Sequence, residues 1–307
     1  MTGVTPALLD LCAPHVGGVR DVEELVGGNV SHVYRVRGPR GVVILKVRGS
    51  WFARIPDVPT DPALIGVERA ALAVFGAAAP DVFPEVLEFD EELHALVLSE
   101  IFPAGGSFED ALSLGPATPA QTRRLGEVLG DVHAATRSIT TQIRPDGDLA
   151  FRDHQLRYCL ESTGHPALLE CSAHLKSLPD DVLVLGDVAP KNMSVSADRV
   201  VICDLDTVHR GSHWYDVTFV LAHLLLHHLM APEAIRPLSA EFLAGYRSRN
   251  SLPALAPSIQ TRLVIGFCLY RLVNELVPYR LELSAAQRAA WSKRFLVALD
   301  RSNPEVS

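Results

Sequence analysis

The 307-residue chain is 48% hydrophobic and 21% charged, which excludes a disordered chain and supplies apolar material for two packed lobes. Its formal net charge is −8, and no run of Lys or Arg offers the basic stripe that a nucleic-acid partner requires. Five scattered cysteines without a CxxC pair argue against a disulfide scaffold or a zinc module and for a reduced, cytoplasmic protein. The first residues show no charged stretch followed by an apolar core, so no secretory signal is expected. The most apolar helix, Val217 to Met230, carries His223, His227 and His228 and is too short for a bilayer, so no membrane partner is expected.

In chain order, Val30 to Val36 alternates and is rich in β-branched residues, residues 37–41 make a turn, and Val42 to Val47 follows as a second strand. A hairpin is therefore predicted. The first hundred residues hold one helix, with Asp61 as N-cap and Pro62 at its first position, running to about Ala78. Val86 to Phe89 and Ala95 to Ile101 complete a small, mostly antiparallel sheet. Phe102-Pro103-Ala104-Gly105-Gly106 then divides the chain into residues 1–102 and 103–307. Thr118-Pro119 opens a long amphipathic helix with Leu125, Val128, Leu129 and Val132 on its apolar stripe. Shorter helices reach Leu175, and a strand-rich island covers Val182 to Cys203. Helices resume from Tyr215 to Leu299, broken at Pro232, Pro237, Pro253 and Pro257. The fold class is α+β, a β-rich first lobe with one helix and a larger, mostly helical second lobe.

The chemistry concentrates in the island. An apolar strand, Val182 to Leu185, delivers Gly186-Asp187 to a loop, and Asn192 lies five residues on. A second strand, Val200 to Cys203, delivers Asp204, with Asp206 beyond it. Kinases use this spacing to set a base-like Asp, a metal-binding Asn and a metal-binding Asp around one phosphate. Upstream, Gly27-Gly28-Asn29-Val30-Ser31 is a turn whose backbone N–H groups can approach phosphate oxygens, because glycine places no side chain in the way. Lys46 lies in an apolar strand, where an ammonium costs free energy unless it is paired. Glu68, on the predicted helix, is the best partner for it. His223 and His227 stand four apart on one helix face, which is metal-ligand spacing, but with no third ligand they read as satisfied interior histidines.

The matching residues Leu185, Gly186, Asp187 and Asn192, followed by Asp204, resemble the aminoglycoside phosphotransferase and choline kinase-like kinases, which share the protein-kinase fold. Two further segments, Arg210 to Asp216 and Leu125 to His133, resemble that family's later Asp motif and its helix ending in Leu-His-Ala. The resemblance implies a two-lobed kinase that uses ATP and Mg2+ to phosphorylate a hydroxyl of a small molecule. Asp187 would orient the acceptor hydroxyl and take its proton, and Asn192 and Asp204 would hold magnesium. Gly27, Gly28, Ser31, Lys46 and Glu68 would serve the phosphates, and main-chain groups of Glu100 and Phe102 would hold adenine. Asp216 would brace the catalytic loop. The family histidine before Gly-Asp is Leu185 here, which bears on the branch more than on the reaction. The acidic balance favours a cationic acceptor, an aminoglycoside or an amino alcohol. The stretch from Gly27 to Val36 also resembles the methylthioribose kinase branch, which favours a sugar. Trp214, Tyr215, Tyr270, Arg271, Glu275, Tyr279 and Trp291 are candidates to line the acceptor site, most of them more simply core or surface. The rival reading is a catalytically silent, nucleotide-binding pseudokinase.

Overall fold

The computed structural model describes residues 4–25, 28–102, 106–274 and 279–301. The chain forms two compact units. The first comprises Met1–Pro103 together with Val201–Thr207, and the second Ala104–Val200 with Val208–Ser307. The short piece carrying Asp204 thus belongs with the first hundred residues.

The first unit is built on a five-stranded antiparallel sheet. Its strands are β1 (Asp21–Glu24), β2 (His32–Gly38), β3 (Gly41–Val47), β4 (Val86–Asp90) and β5 (Ala95–Ser99), in the order β1-β2-β3-β5-β4. Two helices accompany it where the sequence suggested one: α1 (Pro6–Val16) and α2 (Ile65–Ala78). The signals for α1 are Thr5, whose side chain caps the Leu8 N–H, Pro6 at the first turn, and Gly17 closing the helix at φ 74°. Pro14 obscures them. It sits in the last turn, where it costs a single backbone bond, and Arg40 donates to its carbonyl. Leu8, Cys12 and Val16 of α1 pack with Tyr34, Val36, Val43, Leu45, Ala95 and Val97 of the sheet. Strand residues alternate faces, so Val43 and Leu45 entering this core send Lys46 to the opposite face.

The second unit is mainly helical: α3 (Phe108–Leu114), α4 (Pro119–Thr136), α5 (Asp148–Cys159), α6 (Pro166–Ser177), α7 (His213–His227), α8 (Ile235–Arg249), α9 (Pro257–Val273) and α10 (Ala285–Arg301). Short strands interrupt the helices: β6 (Val182–Val184), β7 (Met193–Val195), β8 (Val200–Ile202), where the chain enters the first unit, and β9 (His209–Gly211). β6 and β9 pair antiparallel. Pro237, expected to break a helix, is the third residue of α8. The first four N–H groups of a helix have no intrahelical partner, so a proline there removes no bond. α4 and α8 pack backbone to backbone. A Cβ on Gly126 would lie 2.1 Å from the Phe242 carbonyl oxygen, and one on Gly245 would lie 2.1 Å from that of Arg123. No helix among the described residues is long and apolar enough to cross a membrane.

Candidate active site

In the first unit the strand-borne lysine finds the partner expected of it. Lys46 Nζ lies 2.5 Å from Glu68 Oε2 and 2.5 Å from Asp204 Oδ1. Glu68 enters from the first turn of α2 and is 1% exposed, while Lys46 is 6% exposed. The other Glu68 oxygen accepts the Leu205 N–H at 3.3 Å, so the helix carboxylate also fixes the backbone beside Asp204. Burial alone would push the Lys46 ammonium down. Asp204 and Glu68 overcome it and hold the group well above the usual lysine range. Glu68 is pulled both ways: burial, seconded by Asp204, raises its carboxyl against the opposing Lys46 charge. Asp204 has φ 67°, a left-handed conformation that aspartate tolerates better than most residues. Its side chain remains 30% exposed. Asp206 lies 3.7 Å from the Arg48 guanidinium.

Of the turn expected to meet phosphates, Gly27 lies outside the described residues. Gly28 is half-buried and Ser31 is buried. The turn is tied down by backbone bonds from Ala53 N–H to the Val30 carbonyl, 3.2 Å, and from Arg54 N–H to the Asn29 carbonyl, 3.1 Å. Glu100 follows β5, and its side chain accepts from Arg35 Nε at 2.6 Å. Phe102 is half-buried two residues on.

The second unit holds Asp187 and Asn192. Gly186, at φ 83°, turns the chain out of β6 in a conformation that favours glycine. The loop is then fixed from beneath by Asp216, fully buried in the first turn of α7. Its two oxygens accept the Leu185 N–H at 2.7 Å and the Gly186 N–H at 3.0 Å. His133 of α4 lies 3.1 Å from the same carboxylate through Nε2 and 2.8 Å from the Tyr246 hydroxyl through Nδ1. Asn192 closes the loop from its far end. Its amide N donates to the Asp187 carbonyl at 3.0 Å and to Asp187 Oδ2 at 3.1 Å.

Asp187 itself is 22% exposed at its side chain and is met by two cations. Arg271 of α9 donates to Oδ1, and Lys191 Nζ lies 3.6 Å from Oδ2. Burial would raise the carboxyl, but Arg271 and Lys191 outweigh it and hold Asp187 far below the usual carboxylate range. Such a carboxylate is ionised at any working pH. It can accept a hydroxyl's hydrogen bond and orient it, but it is a weak base.

The sequence marks Arg271 only as one of several acceptor-site candidates, because its pairing with Asp187 spans 84 positions and leaves no local signal. Of the other candidates, Trp214 and Tyr215 are core residues, Trp214 donating to the Pro253 carbonyl at 2.9 Å. Tyr270 and Tyr279 each present a ring 5.0 Å from the Arg271 guanidinium carbon. Trp291 packs against a tilted Phe295 ring and beneath Arg294 on α10, and Glu275 lies outside the described residues. His223 and His227 bond within the unit, to the Phe219 carbonyl and the Tyr279 hydroxyl. Among the described residues no group of three or more His, Cys, Asp or Glu is arranged to hold a metal.

The family model described as the phosphotransferase enzyme family matches residues 21–257, and the chain belongs to that family. No curated protein matches it significantly in sequence. Among solved structures, choline kinase LicA from Streptococcus pneumoniae is similar at a TM-score of 0.61 and 15% identity, covering 96% of this chain and 98% of that one. A thermostable mutant of aminoglycoside phosphotransferase APH(4)-Ia, in ternary complex with AMP-PNP and hygromycin B, gives 0.60 at 18% identity, covering 98% and 99%. Amicoumacin kinase hAmiN, in complex with AMP-PNP, Ca2+ and Ami, gives 0.59 at 16% identity, covering 92% and 89%. At these identities the likeness is one of fold, and it is the kinase-like two-part fold expected from the sequence.

Proposed function

We propose that the protein is an ATP-dependent kinase that moves the γ-phosphate to a hydroxyl of a small molecule. The observation that carries this reading is the buried Lys46, held 2.5 Å from both Glu68 and Asp204. Two ionisable groups, Lys46 and Glu68, are costly to bury without a use for them. A lysine positioned by a helix carboxylate, with a part-exposed aspartate beside it, is what binding a nucleotide triphosphate with its metal requires. The two structural neighbours solved with AMP-PNP support the nucleotide assignment.

Each unit then has its own task. In the first, Lys46 meets nucleotide phosphates, the turn at Gly27, Gly28 and Ser31 cradles them, and the main chain at Glu100 and Phe102 holds the base. In the second, Asp187 orients the acceptor hydroxyl and accepts its proton as the new bond to phosphorus forms. Asn192 in the second unit and Asp204 in the first each offer a hard oxygen, the kind of donor magnesium prefers. Magnesium, when bound, neutralises charge on the phosphates. Cys12, Cys159, Cys171 and Cys268 are buried free thiols, which suits a reducing compartment and the cytoplasm.

The test is transfer from γ-labelled ATP with magnesium to a panel of amino alcohols, aminoglycosides and sugars, with Asp187→Asn alongside. The substitution should lower turnover by about 10² to 10⁴. Undiminished transfer by Asp187→Asn would remove Asp187 from the reaction, and AMP in place of ADP as product would remove the kinase reading altogether.

A further inference from the structure

If Asp187 receives the acceptor hydroxyl, as proposed above, the groups around it decide which acceptors can approach. Arg271 is the dominant one. Its side chain is 3% exposed, and it donates through Nη2 to Asp187 Oδ1. Its Nε donates to His223 Nε2 at 3.2 Å. His223 in turn reaches the Phe219 carbonyl from Nδ1 at 2.9 Å. A carbonyl oxygen only accepts, so the imidazole proton sits on Nδ1 and Nε2 is left as a neutral acceptor for Arg271. The guanidinium carbon lies 5.0 Å from the ring centroids of Phe219, Tyr270 and Tyr279. Rings, imidazole and carboxylate together fix a planar cation that cannot lose its charge and has no free path to swing aside.

Lys191 adds a second positive charge 3.6 Å from the other Asp187 oxygen. A second carboxylate of this neighbourhood is Glu109 of α3, which is buried, engaged by the Tyr279 hydroxyl and drawn on by Lys191 and then Arg280. Two cations therefore face two carboxylates before any acceptor arrives. The attraction that Asp187 would exert on an incoming ammonium is already cancelled.

We propose that Arg271 sets the acceptor class: the reacting hydroxyl belongs to a neutral polyol or sugar, with no ammonium on the neighbouring carbons. A unit charge about 5 Å from Arg271, at an effective dielectric constant near 20, corresponds to a factor on the order of 10², and this is the amount by which Arg271 offsets the attraction of Asp187 for an amino group beside the hydroxyl. The amino group then gives up water for no carboxylate in return, a cost that a neutral hydroxyl does not carry. This narrows the acceptors left open by the sequence, and it runs against the cationic class that the overall acidic charge favoured. Net charge acts at the whole surface, whereas Arg271 acts at the reacting atom.

The experiment pairs acceptors of matched skeleton: glycerol against 2-amino-1,3-propanediol, glucose against glucosamine, and a set of pentoses and polyols against their amino counterparts. Wild type should give the higher kcat/KM with the neutral member of each productive pair. Arg271→Gln should lower that preference on the order of 10²-fold, with Arg271→Lys keeping it. Lys191→Gln, at a more exposed position, should shift it in the same direction by less, and it serves if Arg271→Gln does not fold. Preference for the amine members in wild type, absence of transfer to every neutral member, or unchanged preference in both charge-removing variants would overturn the assignment. Nucleotide binding and ADP formation, followed in parallel, separate this failure from failure of the kinase reading: an enzyme that phosphorylates amines best is still a kinase.

Discussion

Lys46 in the first unit and Arg271 in the second are both buried cations facing carboxylates, yet they are held by opposite means. Lys46 is a compact point charge between two carboxylates, one sealed and one part-exposed. Arg271 meets one carboxylate and is otherwise gripped by a neutral imidazole and three rings. Lys46 therefore sits in an excess of negative charge, with the Asp204 side chain 30% exposed and that of Glu68 2% exposed. Arg271 sits in a cage that would persist whatever binds. The difference suits the proposed roles, a lysine that engages phosphate and an arginine that keeps a fixed charge beside the acceptor hydroxyl.

Breaking the first cluster should have the largest effect on stability. Lys46→Met leaves the Glu68 carboxylate, 1% exposed, without its counter-ion, and removal of one partner of a buried pair costs about 3–5 kcal/mol. The double variant Lys46→Met/Glu68→Leu should recover most of that loss, because two apolar side chains bury more cheaply than one orphaned charge. Denaturant unfolding of the two singles and the double closes the cycle. A double as unstable as the sum of the singles would show that the pair is not coupled in the way its 2.5 Å contact indicates.

Arg271→Met makes the same cut in the second unit and should cost less, about 1–3 kcal/mol, the range for leaving a polar partner unsatisfied. Asp187 is 22% exposed, so water can replace part of what the guanidinium supplied. Its carboxyl should also rise toward the ordinary range, which the pH dependence of kcat/KM reports as an acid limb moving upward. A larger loss here than for Lys46→Met would reverse the contrast between the clusters.

The same contrast explains what the sequence made legible. Lys46, Glu68, Asp187, Asn192 and Asp204 stand out because each is a polar residue at a fixed place relative to an apolar strand or a capped helix, and both signals are local. The sheet and the long helices were legible for that reason too. α1 was not, because Pro14 masks good caps, and Pro237 misled because its position within the first turn of α8 is invisible until the helix start is known. Arg271 carries no such local mark. Its meaning lies in rings and a carboxylate 84 residues away, and no spacing rule reaches that far. His133 is similar, acquiring its place between Asp216 and Tyr246 only from the packing of α4 against α8.

That packing offers the next test. Gly245→Ala places a methyl 2.1 Å from the Arg123 carbonyl oxygen, a backbone atom that cannot rotate away. The helices must part, and overpacking of this kind costs about 1–3 kcal/mol. Because α4 carries His133 and α8 carries Tyr246, the strain should also reach the Asp216 brace beneath Asp187, lowering turnover beyond what stability explains. Full activity in a destabilised Gly245→Ala protein would show that the brace tolerates helix displacement.

The smallest effect is electrostatic and belongs to the second unit. His213 and His227 are buried there with their imidazoles pushed down to about 4, by burial first and then by His133 and His228 respectively, and burial holds His223 well below its usual range. Unfolded, each would titrate near 6.5. Between about 4 and 6.5 the unfolded chain therefore binds more protons than the folded one, and stability must rise with pH across that window. These histidines contribute fully above about 6.5, and the contribution is lost as pH falls toward 4. Asp187, depressed far lower, stays ionised throughout and cannot produce the same slope. Thermal melts across this range should therefore shift downward in acid, and His227→Gln should flatten the dependence while losing only the Tyr279 bond. An unchanged slope in that variant would mean that His227 is charged in the fold, and a cation there would stand beside Tyr279 and add to the positive field that Arg271 already sets.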